Sequence, residues 1–312
     1  MRGLFCVLLF WLTAVNAAAQ DIPDRIIAGF KGWMDGAGVE TGAIAITRKG
    51  QLVTTHGWGM DASDPVEMAS LSKAITGACI RALVGEGVVS YDTALVDVLP
   101  ETPDALRDLT LSDLLTHTGG VHRDSTQKTM PDWLGHPAPQ HGTVTDDVFR
   151  RNKLKRSGQF QYTNENYALL GEVIARVTQT LYRTACADRV VPGASTSPVA
   201  GAFDSWGGWY MPVADYAAFH ARAFANGPVP SGDPSVDLGG GVHYGLGTFW
   251  RSFRGSHNFW HMGALCFPTM GAGSYAVSWE GDWGMVAAWQ ACIDFDVMTQ
   301  LDGVMIEAVF KP

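Results

Sequence analysis

Met68-Ala69-Ser70-Leu71-Ser72-Lys73 puts a lysine at the head of an apolar run that continues to Val84. Positions i and i+3 share one face of a helix, so this spacing lets the Ser70 hydroxyl and the Lys73 amine meet across a single turn. Ala69, Leu71, Ala74, Ile75, Ala78, Cys79, Ala82 and Leu83 surround the pair with apolar side chains on nearly every side, the mark of a helix inside the molecule. Lysine is rarely buried unless it has a partner. Two readings follow: an activated nucleophile, or a Lys73 that snorkels to solvent while Ser70 caps the helix.

The spacing alone is weak, since roughly 0.4 Ser-x-x-Lys pairs are expected by chance in a chain of this composition. A second pair occurs at Ser125-Thr126-Gln127-Lys128, in a polar stretch from His122 to Asp132 without a helical apolar period. That stretch reads as a solvated loop. Neighbouring segments carry the argument further.

Residues 23 to 35 alternate at helical spacing through Ile26, Ile27, Phe30 and Trp33. Gly42 to Thr47 and Gln51 to Trp58 read as strands joined at Lys49-Gly50, a hairpin signal. From about 60 to 240 the chain is rich in helical patterns and loops, including Ser112 to Leu115 before His117 and a strong helix over Asn164 to Val177. Strand patterns return from Tyr244 on, at His257 to Phe267, Gly273 to Glu280 and Gly284 to Ile293, before a last helix over Val297 to Phe310. The expected fold class is therefore α/β (α+β). An antiparallel sheet is built from N- and C-terminal strands and flanked by helices, with an inserted mainly helical lobe. The sheet lobe covers about 20–60 and 241–312, the helical lobe about 61–240, and the cleft between them is the natural pocket.

The first residues read as a signal peptide over 1–19: Arg2, an apolar stretch from Leu4 to Val15, and Ala17-Ala18-Ala19 as a cleavage site before Gln20. A periplasmic or secreted location is expected, without stable membrane insertion after cleavage. The chain has 312 residues and a net charge of −9, a balance that argues against nucleic acid or anionic lipid as partner. Cys79, Cys186, Cys266 and Cys292 are widely spread and mostly in apolar segments, which favours buried thiols over disulfides. No C-x-x-C or H-E-x-x-H spacing supports a metal, and no cofactor is called for.

Two further constellations stand beside Ser70 and Lys73. Tyr162-Thr163-Asn164 brings a phenol and an amide to the opening of the 164–177 helix, although Asn164 also suits a simple cap. His261-Met262-Gly263-Ala264 lies on a late strand, where glycine admits another backbone or a substrate, or is an ordinary strand glycine.

Met68 to Lys73, Leu114-Leu-Thr-His-Thr-Gly119, Phe160 to Gly171, Tyr244-Gly-Leu-Gly247 and His261 to Gly263, in this order, resemble the penicillin-recognising, class C β-lactamase-like serine hydrolases. That superfamily includes D,D-peptidases, esterases and amidases. The resemblance implies an acyl-enzyme on Ser70, with Lys73 or Tyr162 as proton acceptor, the choice between them open. It implies an oxyanion hole from the backbone N–H groups of Ser70 and Ala264. It further implies substrate binding by Asn164, His261 and Gly263, and a structural role for His117. Aromatic residues near the expected cleft suggest Trp209 and Tyr210 as its wall.

His261 stands where the β-lactamase pattern has lysine, and Met262 where it has a hydroxyl residue, a departure that weakens the grip on a carboxylate. An esterase or amidase acting on a small-molecule ester, amide or peptide is therefore favoured. A D,D-peptidase or β-lactamase, and a non-catalytic ligand sensor of the same fold, are the alternatives.

Overall fold

The computed structural model describes residues 22–225, 232–253, 255–279 and 281–311. The expected signal peptide and the strand end at Glu280 lie outside the described residues. Strands β1 (Gly42–Arg48) and β2 (Gln51–Trp58) form the early hairpin, and Lys49 and Gly50 both adopt positive φ, 48° and 74°, as a tight two-residue turn requires. Short strands β3 (Val66–Glu67), β4 (Ser195–Thr196) and β5 (Trp209–Met211) pair in a small separate sheet that the sequence patterns did not signal. β6 (Val236–Gly239), β7 (Val242–Gly245), β8 (Thr248–Phe253), β9 (Ser256–Phe267), β10 (Met270–Trp279) and β11 (Trp283–Trp289) complete the main sheet.

Among the described residues that sheet runs β2-β1-β11-β10-β9-β8-β7-β6, with antiparallel pairing throughout. β1 therefore docks on β11, as expected of a sheet assembled from both ends of the chain. Period-2 alternation decides which side chain enters which layer. Ile44, Ile46, Met285, Ala287 and Trp289 face the helices at 22–37 and Phe295–Phe310, packing with Phe30, Trp33, Leu301 and Met305. Ala43, Ala45, Val286 and Ala288 face the inserted helical region. Their small side chains let the Val213–His220 helix lie close to β1.

The Ser72–Gly85 helix runs through the middle of that region, with Ile75, Cys79, Ile80 and Leu83 wholly buried. Two glycines let other backbone reach it. A Cβ on Gly77 would stand 2.3 Å from the Leu246 carbonyl oxygen, and one on Gly247 would stand 2.2 Å from the Lys73 carbonyl carbon. Gly247 also has φ +80°, so the Tyr244–Gly247 segment is a contact made main chain to main chain. Gly247→Ala is expected to lower the unfolding free energy by about 2–4 kcal/mol, from overpacking plus a left-handed alanine, as read by urea titration.

The cysteine expectation is corrected. Cys79 is bonded to Cys186, with Cα atoms 5.3 Å apart, and Cys266 to Cys292, at 5.1 Å. The first pair is 107 residues apart in sequence and meets because the Ser72–Gly85 and Tyr182–Val190 helices pack side by side. Local sequence carries no trace of that packing. Replacing Cys79 and Cys186 together by serine should cost about 2–5 kcal/mol, measured as a shift in denaturation midpoint that reductant reproduces in the parent protein.

Candidate active site

Ala69 sets the geometry of the centre. It is buried and has φ +45°, a left-handed conformation that non-glycine residues seldom adopt. The turn it makes ends the chain leading from β3 and starts a 3₁₀ segment, Ala69–Leu71, directly continued by the Ser72–Gly85 helix. Ser70 is thereby carried at the mouth of the helix, facing a cleft. No side chain caps this helix, so the capping role considered for Ser70 is set aside.

Lys73 is completely buried. Its Nζ donates to Ser70 Oγ at 3.2 Å, to Asn164 Oδ1 at 2.8 Å and to the Trp206 carbonyl at 2.9 Å. The snorkelling alternative is thus excluded: the amine has three acceptors and no solvent. Removal from water lowers its pKa to about 7, against the opposing charge of Asp124.

Tyr162 lies beside the lysine, with Nζ 4.9 Å from the ring centroid. It is 41% exposed, yet desolvation raises the pKa of its phenol and outweighs the lowering contact with Ser70. His117 underpins it. This ring is fully buried, 4.6 Å from the Tyr162 ring, accepts at Nδ1 from the Asn166 amide and faces the Tyr244 hydroxyl through Nε2. Burial, with the charge of Lys73, drives its pKa well below the ordinary range, so the ring stays neutral.

Asn164 is not a cap. Thr163 caps the Asn164–Thr178 helix by accepting from Glu165 N–H, which frees the Asn164 amide for Lys73 on one side and Thr126 Oγ1 on the other, at 3.0 Å. The His122–Asp132 stretch is accordingly not a wholly solvated loop. Glu165 holds it by accepting from the Ser125 backbone N–H and hydroxyl and from Arg151. Thr126 is buried and Asp124 accepts from the Asn164 backbone N–H. The sequence pattern does not signal these contacts or that of the Trp206 carbonyl, because a polar run looks the same whether it faces water or a buried ammonium.

On the far wall β9 carries His261, Met262, Gly263 and Ala264 past Ser70. A Cβ on Gly263 would lie 2.6 Å from the Ser70 backbone nitrogen. Ser274, paired with Gly263 across the sheet, donates its hydroxyl to the Met68 carbonyl and ties the turn to the strand. His261 is buried and neutral: desolvation, with the charge of Lys73, pulls its pKa down to about 3.

The cleft itself measures about 630 Å³ and is bordered by Ser70, Phe160, Tyr162, Phe249, Trp260 and His261, with Phe295, Met298 and Asp302 of the last helix at its other end. Trp209 is absent from this wall. It is fully buried, its indole N–H donating to Tyr182, while Tyr210 sits in the small sheet against Glu67 and Ser195. Both wall assignments are corrected: pairing in β5 turns these side chains into the helical region and its surface. Among the described residues no His, Cys, Asp and Glu cluster could hold a metal ion.

Protein flp of Staphylococcus aureus (strain MW2) is 28% identical over 166 residues, which is 49% of this chain and 32% of flp. The chain thus spans about a third of the length of the curated relatives it matches. Among solved structures, SurE with D-Leu superposes with a TM-score of 0.72 at 18% identity, covering 93% of this chain and 76% of that one. The D-stereospecific amidohydrolase from Streptomyces sp. gives 0.69 at 19% identity, covering 91% and 98%. FmtA from Staphylococcus aureus gives 0.68 at 13% identity, covering 92% and 90%. These structures share the fold. The sequence profile of the beta-lactamase family matches residues 26–194, more than half of the chain, and the chain therefore belongs to the beta-lactamase family.

Proposed function

We propose that this member of a hydrolase family is an exported serine hydrolase that forms an acyl-enzyme on Ser70, acting as an esterase or amidase on small acyl substrates. The observation that carries the reading is the buried Lys73 amine within hydrogen-bond distance, 3.2 Å, of the Ser70 hydroxyl. An amine with a pKa near 7 is largely neutral at mildly alkaline pH and can accept a proton. Tyr162, whose pKa is raised, keeps its own proton and is the weaker base.

In the proposed sequence Ser70 Oγ bonds to the carbonyl carbon as its proton passes to Lys73 Nζ. The carbonyl π-electrons move to oxygen, which takes hydrogen bonds from the N–H groups of Ser70 and Ala264. Collapse of this adduct breaks the bond to the leaving group, which takes the proton back from the ammonium, with Tyr162 positioned to pass it on. Water then adds to the acyl carbon, giving its proton to Lys73, and the acid leaves as Ser70 recovers its hydrogen. Asn164 holds Lys73 in place throughout.

Export is supported by two disulfides, which persist in oxidising compartments. The esterase or amidase reading is favoured because His261 and Met262 offer no cation and no hydroxyl to a carboxylate. A fluorophosphonate probe and a fluorescent penicillin, each tested on the parent protein and on Ser70→Ala, separate the possibilities. Labelling of the parent by the fluorophosphonate alone is expected. Labelling by both indicates a penicillin-recognising enzyme, and labelling by neither indicates a ligand sensor.

A further inference from the structure

The far end of the cleft has a chemistry of its own. Among the described residues that border it, Asp302 is the one with a carboxyl, guanidinium or ammonium side chain. It sits on the Phe295–Phe310 helix and accepts a hydrogen bond from the buried Tyr275 hydroxyl, which holds the carboxylate in place. Phe160, Phe249 and Phe295 line the cleft, and Phe295 is 69% exposed. Arg251 does not line the cleft; it lies over the Trp260 ring, 5.8 Å from the centroid, and its charge also reaches Tyr275, the partner of Asp302.

His261 adds an independent constraint. Its Nδ1 is 2.6 Å from the Met262 carbonyl oxygen and must therefore carry the hydrogen. In a neutral ring Nε2 is then a bare acceptor. Among the described residues that buried atom has no hydrogen-bond partner, so at this point of the wall His261 offers an acceptor and not a donor. A carboxylate brings only acceptors, and it would meet Asp302 as a like charge.

We propose that the cleft selects acyl substrates bearing a protonated amine, with Asp302 as counter-charge, the phenylalanine rings as cation-binding faces, and His261 Nε2 accepting an N–H from the part of the substrate nearer Ser70. The proposal rests on the serine-hydrolase reading and specifies its substrate class: aminoacyl esters and amides with a free ammonium group. Its polarity is opposite to that of a carboxylate-gripping site.

The test uses p-nitroanilides of alanine and of 6-aminohexanoic acid, each in free-amine, N-acetyl and N-succinyl form, with the full chain. The free amine is expected to exceed its N-acetyl counterpart about tenfold in kcat/KM, mainly through KM, with the N-succinyl form slowest. Asp302→Asn is expected to shrink the free-amine to N-acetyl ratio about tenfold. Because that variant can disturb Tyr275, the parent protein is also assayed with neutral p-nitrophenyl butyrate against hexylammonium and hexanoate, where competitive inhibition by the ammonium alone supports the proposal. Equal or better turnover of the acetylated and succinylated forms, or inhibition by hexanoate alone, overturns it while Ser70-dependent butyrate turnover leaves the hydrolase reading standing. Absence of any Ser70-dependent turnover overturns both.

Discussion

Replacing Lys73 by alanine lowers kcat/KM for a p-nitrophenyl ester by about 10³-fold, the scale of a lost general base, with the serine still in place. The proposed proton acceptor is held by Asn164 and the Trp206 carbonyl, and Tyr162, the other titratable group in contact with Ser70, has its pKa raised and keeps its own proton. In the parent protein the acylation rate climbs with pH through a midpoint near 7, because only the neutral amine accepts a proton and burial has brought its pKa down to about 7. The alanine variant loses that limb. The same burial has a stability signature. The unfolded chain holds the Lys73 proton up to the ordinary 10.5 while the folded chain releases it near 7, so the unfolded state binds more protons in between. Stability contributed by this group therefore rises with pH from about 7 to about 10.5, and Lys73→Ala flattens that rise. A pH–rate profile in which the limb survives in Lys73→Ala removes the lysine from the mechanism.

Gly263→Ala lowers kcat by about 10²–10³-fold with KM little altered, the size of effect seen when an oxyanion donor is displaced. The added Cβ meets the Ser70 nitrogen at 2.6 Å, Ser274 Oγ at 2.7 Å and the Ala69 Cβ at 2.8 Å. None of these is the far end of a flexible side chain. Either β9 or the Ala69 turn must give way, and each carries one of the two proposed N–H donors. Thermal unfolding of the variant, followed beside its kinetics, separates a shifted strand from a lost fold. A variant that unfolds like the parent and keeps kcat within about threefold sinks the oxyanion assignment.

The recurrent patterns were readable in the chain itself. Alternation in 42–58 and from 256 onward, the Lys49-Gly50 turn and the apolar 68–84 segment were enough to place β1 beside the C-terminal strands and to bury the central helix. Ser70 and Lys73 could be singled out because a lysine is costly in an apolar run, whereas Asn164 and Gly263, each ordinary by itself, stood out only through the order of the motifs and their resemblance to a family. Trp209 and Tyr210 misled because an aromatic residue suits a core and a cleft equally well. The thiols misled because spacing along the chain says nothing about distance across it.

Sequence alone determined the early hairpin, the central and 164–178 helices, the late strands and last helix of the main layers, and which residues carry reactive groups, since these are local properties of pattern and composition. Only the tertiary structure decided that Lys73 loses all contact with water, that Asp124 and Thr126 fold back upon Asn164, that Cys79 reaches Cys186, and that Asp302 closes the far end of the cleft. Each of these depends on segments far apart in the chain being pressed together. Desolvation and hydrogen-bond partnership are properties of that packing, and no single segment possesses them.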